Sequence, residues 1–415
     1  MSISGFGTRF SAAALALGGF ALAPSVAASD VHFVPADFAD LQTAIDVAAA
    51  GDTVVILGGG DYEYISIDKP ITLVGSASQP PLLRISPLGA PVCDDGTPAV
   101  TISNPGGTVN LVGVDIGGGQ LGSLAEPCFW LPGAMSFSGD SDLAVLHSSV
   151  IAPEWLEYDG WAPAYSNAVS VGGAGTFLVS DSVIRGHDHK MLGAWCDQKL
   201  DKGPSGTILG TERQAVLLDS HLEGGGSLQE AWYSNTCQGW GFLPTACSEF
   251  LEGAGGPGLI GGSALLANSE ILAGPAATVV FLEGYPEPAG FPCVFENSPA
   301  YLNGTATSID TGATLSGSGA IVEFSDWSVR WDVSAESKLL IGPALITPQQ
   351  AGAAGQLFVD PAGLVMLPID GVGPGQRSFQ INGLRDDLLG KLIAVQIYSP
   401  EQGFSRPVIA ALQPF

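Results

Sequence analysis

Short apolar bursts separated by turn residues recur along most of the chain. The stretch "GDTVVILGGGDYEYISIDKPITLVG" holds three of them, at Thr53 to Leu57, Tyr64 to Ile67 and Ile71 to Val74. Glycines and the Lys69-Pro70 step separate the bursts, and both residue types mark turns. Strands this close together do not suit the two broad sheets of a sandwich. They fit one coil of a solenoid, in which each strand pairs with its counterpart in the next coil.

A single helical pattern precedes the first of these bursts, in "PADFADLQTAIDVAAAGD". Four apolar residues are spaced to share one helical face: Phe38, Leu41, Ile45 and Ala48. Asp37 is suited to cap the start of the helix, and Gly51 can take the left-handed conformation after its end. We expect this apolar stripe to cover the open core of the first coil.

A repeated phrase supports the solenoid over an ordinary globular all-β domain. Most copies hold an apolar pair, a small polar step and a further apolar residue or pair, as in "AVLHSSVIAP", "FLVSDSVIRG", "AVLLDSHLEG" and "ALLANSEILAG". Aligning the copies on Ser149, Ser182, Ser220 and Ser269 gives separations of 33, 38 and 49 residues. Self-similarity at such spacings indicates a repeat architecture whose extra length forms loops. The polar step is the expected corner of the coil.

The end of the chain changes character after about Gly342. We predict a solenoid over residues 29–343 and a small all-β segment over residues 344–415, with strands at Leu364 to Leu367, Phe379 to Ile381, Ile393 to Ile397 and Val408 to Leu412. Since a solenoid needs both ends covered, we expect this segment to cap the open end. The alternative is a sorting or attachment module.

The opening also resembles a known family. Leu41 to Gly75, with "AIDVAAAGDTVVIL" followed by "GGGDYEY" and "ISIDKPITLVG", is similar to the start of the pectate-lyase-like right-handed β-helix superfamily, which includes many exported bacterial proteins. The resemblance implies a right-handed parallel β-helix with a helical N-terminal cap. Polysaccharide lyases of this superfamily abstract a proton beside a carboxylate that a metal or an arginine neutralises. Their catalytic motifs are not recognisable here.

The first 28 residues have the layout of a secretory signal peptide. Arg9 precedes an apolar run from Phe10 to Leu22, and the small residues Val26-Ala27-Ala28 suit signal peptidase. We therefore predict a protein that is secreted, periplasmic or exposed at the cell surface. No later stretch reaches the roughly 18 apolar residues of a membrane span, so we expect no span once the signal is removed.

The composition is acidic and poor in charged residues. The chain has 41 Asp and Glu against 14 Lys and Arg, a net charge of −27, and only 13% charged residues. A nucleic-acid partner is disfavoured, because phosphates need a basic surface. We expect a monomer. The six cysteines form no Cys-x-x-Cys pair, so disulfides are favoured over a zinc or iron–sulfur site. Two disulfide pairings remain open: Cys237 with Cys247, and Cys196 with Cys237.

Large aromatic residues concentrate in three long insertions, at residues 152–167, 186–206 and 223–256. Exposed aromatic rings on the loops of a rigid scaffold suggest binding, and flat rings suit the apolar faces of sugars. The bland alternative is that the rings fold inward as small cores for the loops. The candidate substrate-binding residues are Trp155, Trp161, Trp195, Trp232 and Trp240.

The second insertion concentrates ionisable residues in an otherwise base-poor chain. Histidine titrates near neutrality and can shuttle protons, and aspartate oxygens can bind Ca²⁺. His187-Asp188-His189 could also bind a transition metal, because a His-x-His pattern puts both rings on one face of a strand. The candidate catalytic residues are Arg185, His187, Asp188 and Lys190. The candidate metal ligands are His187, His189 and Asp197. A solvated polar corner is the competing interpretation. For hydrolysis, two carboxylate pairs are candidates by position: Asp140 with Asp142, and Glu154 with Glu157.

Three functions remain open from the sequence. The leading hypothesis is an exported carbohydrate-active β-helix protein that binds a polysaccharide on a loop-bearing face, with cleavage by a lyase or a glycoside hydrolase left open. The second is a non-catalytic surface or matrix protein that uses the β-helix as a rigid spacer. The third is a metal-handling accessory protein.

Overall fold

The computed structural model is an all-β parallel solenoid followed by a mostly antiparallel domain. It describes residues 29–83, 98–117, 120–121, 133–152, 154–155, 167–187, 205–226, 231–233, 255–276, 279–281, 299–309, 313–317, 319–322, 325–380 and 386–414. The predicted signal peptide lies outside these ranges. So do all six cysteines: Cys93, Cys128, Cys196, Cys237, Cys247 and Cys293.

Three parallel sheets form the faces of the described solenoid. In spatial order, sheet 1 contains Val31–Val34, Thr53–Ile56, Thr72–Gly75, Val109–Val112, Leu143–Leu146, Gly175–Ser180, Arg213–Leu218, Ser263–Ala267 and Thr305–Ser308. Sheet 2 contains Ile65–Ile67, Val100–Ser103, Met135–Ser138, Val169–Val171, Thr207–Leu209, Leu259–Ile260 and Tyr301–Leu302. Sheet 3 contains Asp61–Tyr62, Leu82–Leu83, Asp115–Gly117, Ser149–Ile151, Val183–Arg185, His221–Glu223 and Glu270–Leu272.

From Val100 onward, each coil visits sheet 2, then sheet 1, then sheet 3. Every strand pairs in parallel with the equivalent strand one coil away, so that Val150 aligns with Ile116 on one side and with Ile184 on the other. Neighbouring strands in a sheet lie about 4.8 Å apart. Equivalent residues of successive coils therefore form straight columns along the solenoid.

The interior of the solenoid is apolar and continuous. Alternate strand residues point inward, and the core includes Leu111, Val145 and Val179 of sheet 1 together with Val150 and Ile184 of sheet 3, all 0% exposed. Burying each such side chain contributes about 1.5–3 kcal/mol relative to leaving it in water. The repeated apolar pairs of the sequence therefore supply the core that holds the coils together.

A helix, α1 (Leu41–Val47), covers the first coil. Leu41, Ala44 and Ile45 are buried in the solenoid core, as the predicted apolar stripe requires. The cap is Asp40 rather than the expected Asp37. Asp40 accepts the Thr43 backbone N–H at 2.8 Å, whereas Asp37 accepts the Phe33 N–H at 2.9 Å in the preceding turn.

The same helix also pairs with the first strand of sheet 2. The Gln42 side chain accepts the Ser66 N–H at 2.8 Å and donates to the Ser66 carbonyl at 3.1 Å. An amide side chain therefore takes the place of a neighbouring strand at this edge. Such coverage protects a sheet edge from pairing with another chain.

The C-terminal domain contains two further sheets. Sheet 4 is antiparallel and contains Thr314–Gly317, Asp326–Val333 and Gly373–Gln380. Sheet 5 contains Ala320–Val322, Val408–Gln413, Leu392–Ser399, Lys338–Gln350 and Gln356–Val359, with Val365–Pro368 and Gly403–Phe404 attached to it. Short 3-10 helices span Gly352–Ala354, Pro361–Gly363 and Asp386–Leu388.

The boundary between the two parts is earlier than predicted. The last strand of sheet 1 ends at Ser308, and the strand Lys338–Gln350 runs through the predicted boundary at residues 343 and 344. The turn-like residues after Gly342 do not end this strand. Pro343 still pairs with Ile393, and after a shift in register Gln349 pairs with Leu357.

The C-terminal domain packs along the side of the solenoid, which corrects the expected end cap. The outward face of sheet 1 is apolar, and Val55, Leu178 and Val216 are buried in one cluster with Phe358 and Ile409 of the domain. Thr176 and Thr347 hydroxyls also meet at 2.7 Å across the contact. The domain is thus the second layer that a sheet with two apolar faces requires.

A column of serines connects the coils at the corner between sheets 1 and 3. The Ser148 N–H donates to Ser182 Oγ at 3.1 Å, and the Ser182 N–H donates to Ser220 Oγ at 3.2 Å. The series continues to Ser269 at 3.0 Å. In the coil before Ser182 the member of the column is Ser148 and not Ser149, because Ser149 already begins the sheet 3 strand and pairs with Val183.

Replacing Ser182 with alanine tests this column. The change leaves the buried Ser148 N–H without its acceptor, so we expect the free energy of unfolding to fall by about 1–3 kcal/mol. The matched control is Ser170→Ala, at an exposed position of sheet 2, where the change should stay within about 0.5 kcal/mol. Denaturant unfolding measures both, and equal losses in the two variants would contradict the assignment.

Candidate functional site

The long insertions leave the solenoid from one edge. From the strand Leu82–Leu83 onward, the connections from sheet 3 to sheet 2 are long, and they cover residues 84–99, 118–134, 152–168, 186–206, 224–258 and 273–300. The turns from sheet 1 to sheet 3 contain only two residues from Val112 onward, for example residues 147–148 and 181–182. We call the shared edge of sheets 3 and 2 the loop edge. It brings the bases of successive insertions side by side.

The longest insertion is closed at its base by glycines. The Gly256 N–H donates to the Gly225 carbonyl at 2.8 Å, so the chain returns beside the point where it left. A Cβ atom on Gly224 would lie 1.8 Å from the Gly256 oxygen, which no side chain tolerates. The sequence carries this signal as the glycine groups "GGG" at 224–226 and "GAGG" at 253–256.

Two of the predicted substrate-binding residues lie on strands that join neighbouring insertions. Trp155 is in Glu154–Trp155, which pairs in parallel with Gln120–Leu121 of the previous insertion. Trp232 is in Ala231–Tyr233, which pairs with Val279–Phe281 of the next one. The stacking of the coils therefore continues into the insertions. Trp161, Trp195 and Trp240 lie outside the described residues.

The outward face of sheet 3, here called the sheet-3 face, lies directly beside the loop edge. It carries four ionisable side chains in contact with one another, the ion cluster: Arg185, His221, Glu223 and Glu270. Arg185 Nε lies 3.2 Å from Glu223 Oε2, and His221 Nε2 lies 3.6 Å from the same oxygen. His221 Nδ1 is 3.6 Å from Glu270 Oε2. Side-chain contacts within the ion cluster thus link three successive coils, in addition to the pairing of their backbones.

Of the predicted catalytic residues, Arg185 and His187 lie in the described chain. Arg185 is the last residue of its sheet 3 strand and is engaged by Glu223, which reduces its capacity to neutralise a sugar carboxylate. His187 follows two residues later, where the insertion begins, and is partly buried. Asp188, His189, Lys190 and Asp197 lie outside the described residues. Within the residues that are described, no group of three or more His, Cys, Asp or Glu side chains could hold a metal ion.

A groove of about 800 Å³ runs along the opposite edge of sheet 3, where the two-residue turns join it to sheet 1. We call it the corner groove. Its titratable lining residues are Asp115, His147, Asp181, Asp219, His221 and Glu270. The sequence identified three serines of these turns, Ser182, Ser220 and Ser269, but not the residues before them. The signal is the repeated dipeptide His147-Ser148, Asp181-Ser182, Asp219-Ser220 and Asn268-Ser269.

These missed residues share an unusual backbone conformation. His147, Asp181, Asp219 and Asn268 all have φ between 45° and 48°. This left-handed region favours Asn, Asp and His among residues with a side chain. Their side chains join neighbouring coils, with His147 Nδ1 at 3.0 Å from Asp181 Oδ2 and Asn268 donating to Asp219 at 2.6 Å.

The C-terminal domain reaches the corner groove from its other side. Arg406 Nη1 lies 3.8 Å from Asp219 Oδ1, and the Gly319 backbone N–H bonds to Asp181. The sheet-3 face is therefore bordered by the C-terminal domain along one edge and by the bases of the insertions along the other.

The corner groove pushes the pKa values of two carboxyls in opposite directions. The hydrogen bond from His147 holds the pKa of Asp181 below its usual value, against the effect of burial. Burial raises the pKa of Asp115, and the nearby charge of His147 opposes that rise. Carboxyls separated in this way can divide acid and base roles. Asp181, however, already accepts two bonds that fix the corner.

The carboxylate pair Asp140 and Asp142 has a structural role. Asp140 accepts the Ala174 N–H at 2.9 Å and Asp142 accepts the Thr176 N–H at 2.8 Å, so each connects its coil to the next. The buried Arg213 donates to the carbonyls of Gly139, Ser141 and Gly172 at 2.7–2.9 Å. This corner joins sheets 2 and 1 and lies away from the sheet-3 face.

Comparisons with known proteins add no identification. No family model, no curated protein and no solved structure matches the chain. In the parts of the chain that the structure describes, none of the helices has the length and apolar character needed to cross a membrane.

The Asp181 contact predicts a pH dependence of stability. Because its pKa is lower in the folded chain than the ordinary 3.8, its contribution is present above that value and is lost as the pH falls through the folded pKa. We expect Asp181→Asn to reduce the loss of stability between about pH 5 and pH 2. Asp326→Asn, at an exposed strand end, is the control. Denaturant unfolding at each pH measures the stability. The assignment would be contradicted if the Asp181 variant lost as much stability as the native chain over this pH range.

Proposed function

We propose that this chain is an exported, carbohydrate-active β-helix protein that binds a polysaccharide along the sheet-3 face and the loop edge. One observation carries the proposal. Insertions that contain the tryptophans leave successive coils at the same edge, directly beside the ion cluster. The bases of insertions that are far apart in sequence thereby lie side by side.

The coil is proposed to be right-handed. Connections between parallel strands of one sheet are right-handed in about 98% of cases, because a twisted strand packs back onto its sheet only in that sense. The resemblance of Leu41 to Gly75 to the pectate-lyase-like superfamily supports the same hand. That resemblance and the signal-like N-terminus also support export.

The shape of the surface fits an extended chain-like ligand. Equivalent positions on the sheet-3 face recur about every 4.8 Å along the solenoid, so successive sugar units meet similar side chains. Hydroxyl groups of the ligand can bond to the carboxylates and histidines of the face. Aromatic rings on the insertions can cover the apolar faces of the sugars.

Cleavage would need an acid and a base close to the bound chain. Glu223 and Glu270 flank His221 within 3.6 Å, and paired carboxylates are the usual groups for glycoside hydrolysis. A histidine is suited to proton transfer near neutral pH. Product formation is measured through new reducing ends for hydrolysis, and through the ultraviolet absorbance of unsaturated sugars for elimination.

A rigid spacer is the second candidate, and the corner residues favour it. His147, Asp181, Asp219 and Asn268 bond mainly to one another or to the C-terminal domain, as structural side chains do. This candidate predicts no glycan binding at the loop edge.

Removing Trp232 tests glycan binding. On a ligand identified by a glycan array, we expect Trp232→Ala to weaken binding by roughly tenfold or more, since tryptophans are enriched among the residues whose truncation costs about 2 kcal/mol or more. Trp195→Ala should act in the same direction. Met366→Ala removes an exposed apolar side chain from the strand Val365–Pro368 of the C-terminal domain, outside the sheet-3 face and the loop edge, and should leave the Kd unchanged. Calorimetry gives the Kd values. An array without any bound glycan would refute the proposed function and favour the spacer.

A further inference from the structure

The charges around the sheet-3 face select a class of glycan. Five carboxylates lie on this face or in the adjoining corner groove: Asp115, Asp181, Asp219, Glu223 and Glu270. The described arginines beside them are Arg185 and Arg406, and each already contacts a carboxylate, Glu223 at 3.2 Å and Asp219 at 3.8 Å. The two histidines, His147 and His221, also lie against carboxylates. The field along the face is therefore negative at neutral pH.

The insertions that border the face carry the same sign of charge. Residues 84–97, 118–132, 153–166, 188–204, 227–254 and 277–298 contain 15 Asp and Glu against four Lys and Arg. Three of those four basic residues are in residues 188–204, where three aspartates accompany them. The insertions are therefore acidic in composition, as is the whole chain, whose net charge is −27.

A polymer of uronic acids is a poor match for such a surface. Each sugar carboxylate would approach fixed carboxylates within the screening length of about 8 Å that holds at physiological ionic strength. Arginines that already contact carboxylates offer little compensation. Like charges brought together across an interface cost affinity and reject the wrong partner.

We propose that the sheet-3 face and the loop edge bind a glycan that carries protonated amino groups, a polymer of amino sugars. The proposal rests on the proposed function and adds the ligand class to it. Ammonium groups donate hydrogen bonds to carboxylates, and such charge-assisted bonds are stronger than neutral ones. Glu270 is the clearest single contributor, since its side chain is 72% exposed beside His221.

The test compares three oligosaccharides of equal length by calorimetry: a β-linked glucosamine oligomer, its fully N-acetylated counterpart and a uronic acid oligomer. We expect the amine-bearing oligomer to bind at least tenfold more tightly than the acetylated one, and the uronic acid oligomer to bind most weakly. Raising the salt concentration from about 0.05 M to 0.5 M should remove most of the difference, because salt screens exposed charges.

A matched pair of variants locates the effect. Glu270→Gln should weaken binding of the glucosamine oligomer by roughly two- to fivefold and weaken binding of the acetylated oligomer less, because glutamine keeps a hydrogen-bonding side chain and loses only the charge. Glu212→Gln removes the same charge from an exposed turn between sheets 2 and 1, so both ligands should bind it as they bind the native chain. Circular dichroism confirms that both variants are folded.

The outcomes separate this proposal from the one it rests on. Equal binding of all three ligands, or tightest binding of the uronic acid oligomer, would overturn the charge selection while leaving glycan binding in place. If none of the three oligosaccharides bound, both the charge selection and the proposed glycan binding would be overturned. A Glu270 variant indistinguishable from the Glu212 variant would move the selective charge away from the sheet-3 face and so contradict the proposal.

Discussion

The structure depends on parallel hydrogen bonding between equivalent strands of successive coils. Because each strand meets its own counterpart in register, a residue type that suits one coil is repeated in the next. The serine column, the left-handed corner residues and the ion cluster all follow from this constraint. It also explains how insertions as different in length as 152–168 and 224–258 start from neighbouring points.

The second organising feature is a sheet with two apolar faces. Sheet 1 contributes Val145 and Val179 to the interior and Leu178 and Val216 to the contact with the C-terminal domain. The lateral position of the domain has a functional consequence. It closes one side of the solenoid, reaches the corner groove through Gly319 and Arg406, and leaves the sheet-3 face as the surface beside the insertions.

The sequence predicted the parts of the fold that repeat locally. Apolar pairs and small polar corners predict coils, and the stripe on Leu41 and Ile45 predicts a covering helix. The sequence did not show which of two adjacent serines forms the corner, because Ser148 and Ser149 are the same residue type and only the strand register separates them. The runs "VVIL", "LAVL" and "AVLL" do carry a signal of burial on both faces, but they do not name the partner layer. The position of the C-terminal domain, and the boundary at Ser308 rather than 343, follow from contacts between distant segments.

For the candidate site, the sequence singled out Arg185. Glu223 and Glu270 could not be found in the same way, because their contacts depend on which coils are neighbours.

The distance between two residues of one column tests the coil stacking most directly. Ser66 and Ile260 both point outward on sheet 2, and the register places them five strands apart. Spin labels attached through unnatural side chains, which spare the cysteines, would report their separation by pulsed electron resonance. Stacked parallel coils predict a narrow distribution about 24 Å between backbones, from five steps of about 4.8 Å. A broad distribution, or a separation far from that value, would contradict the account.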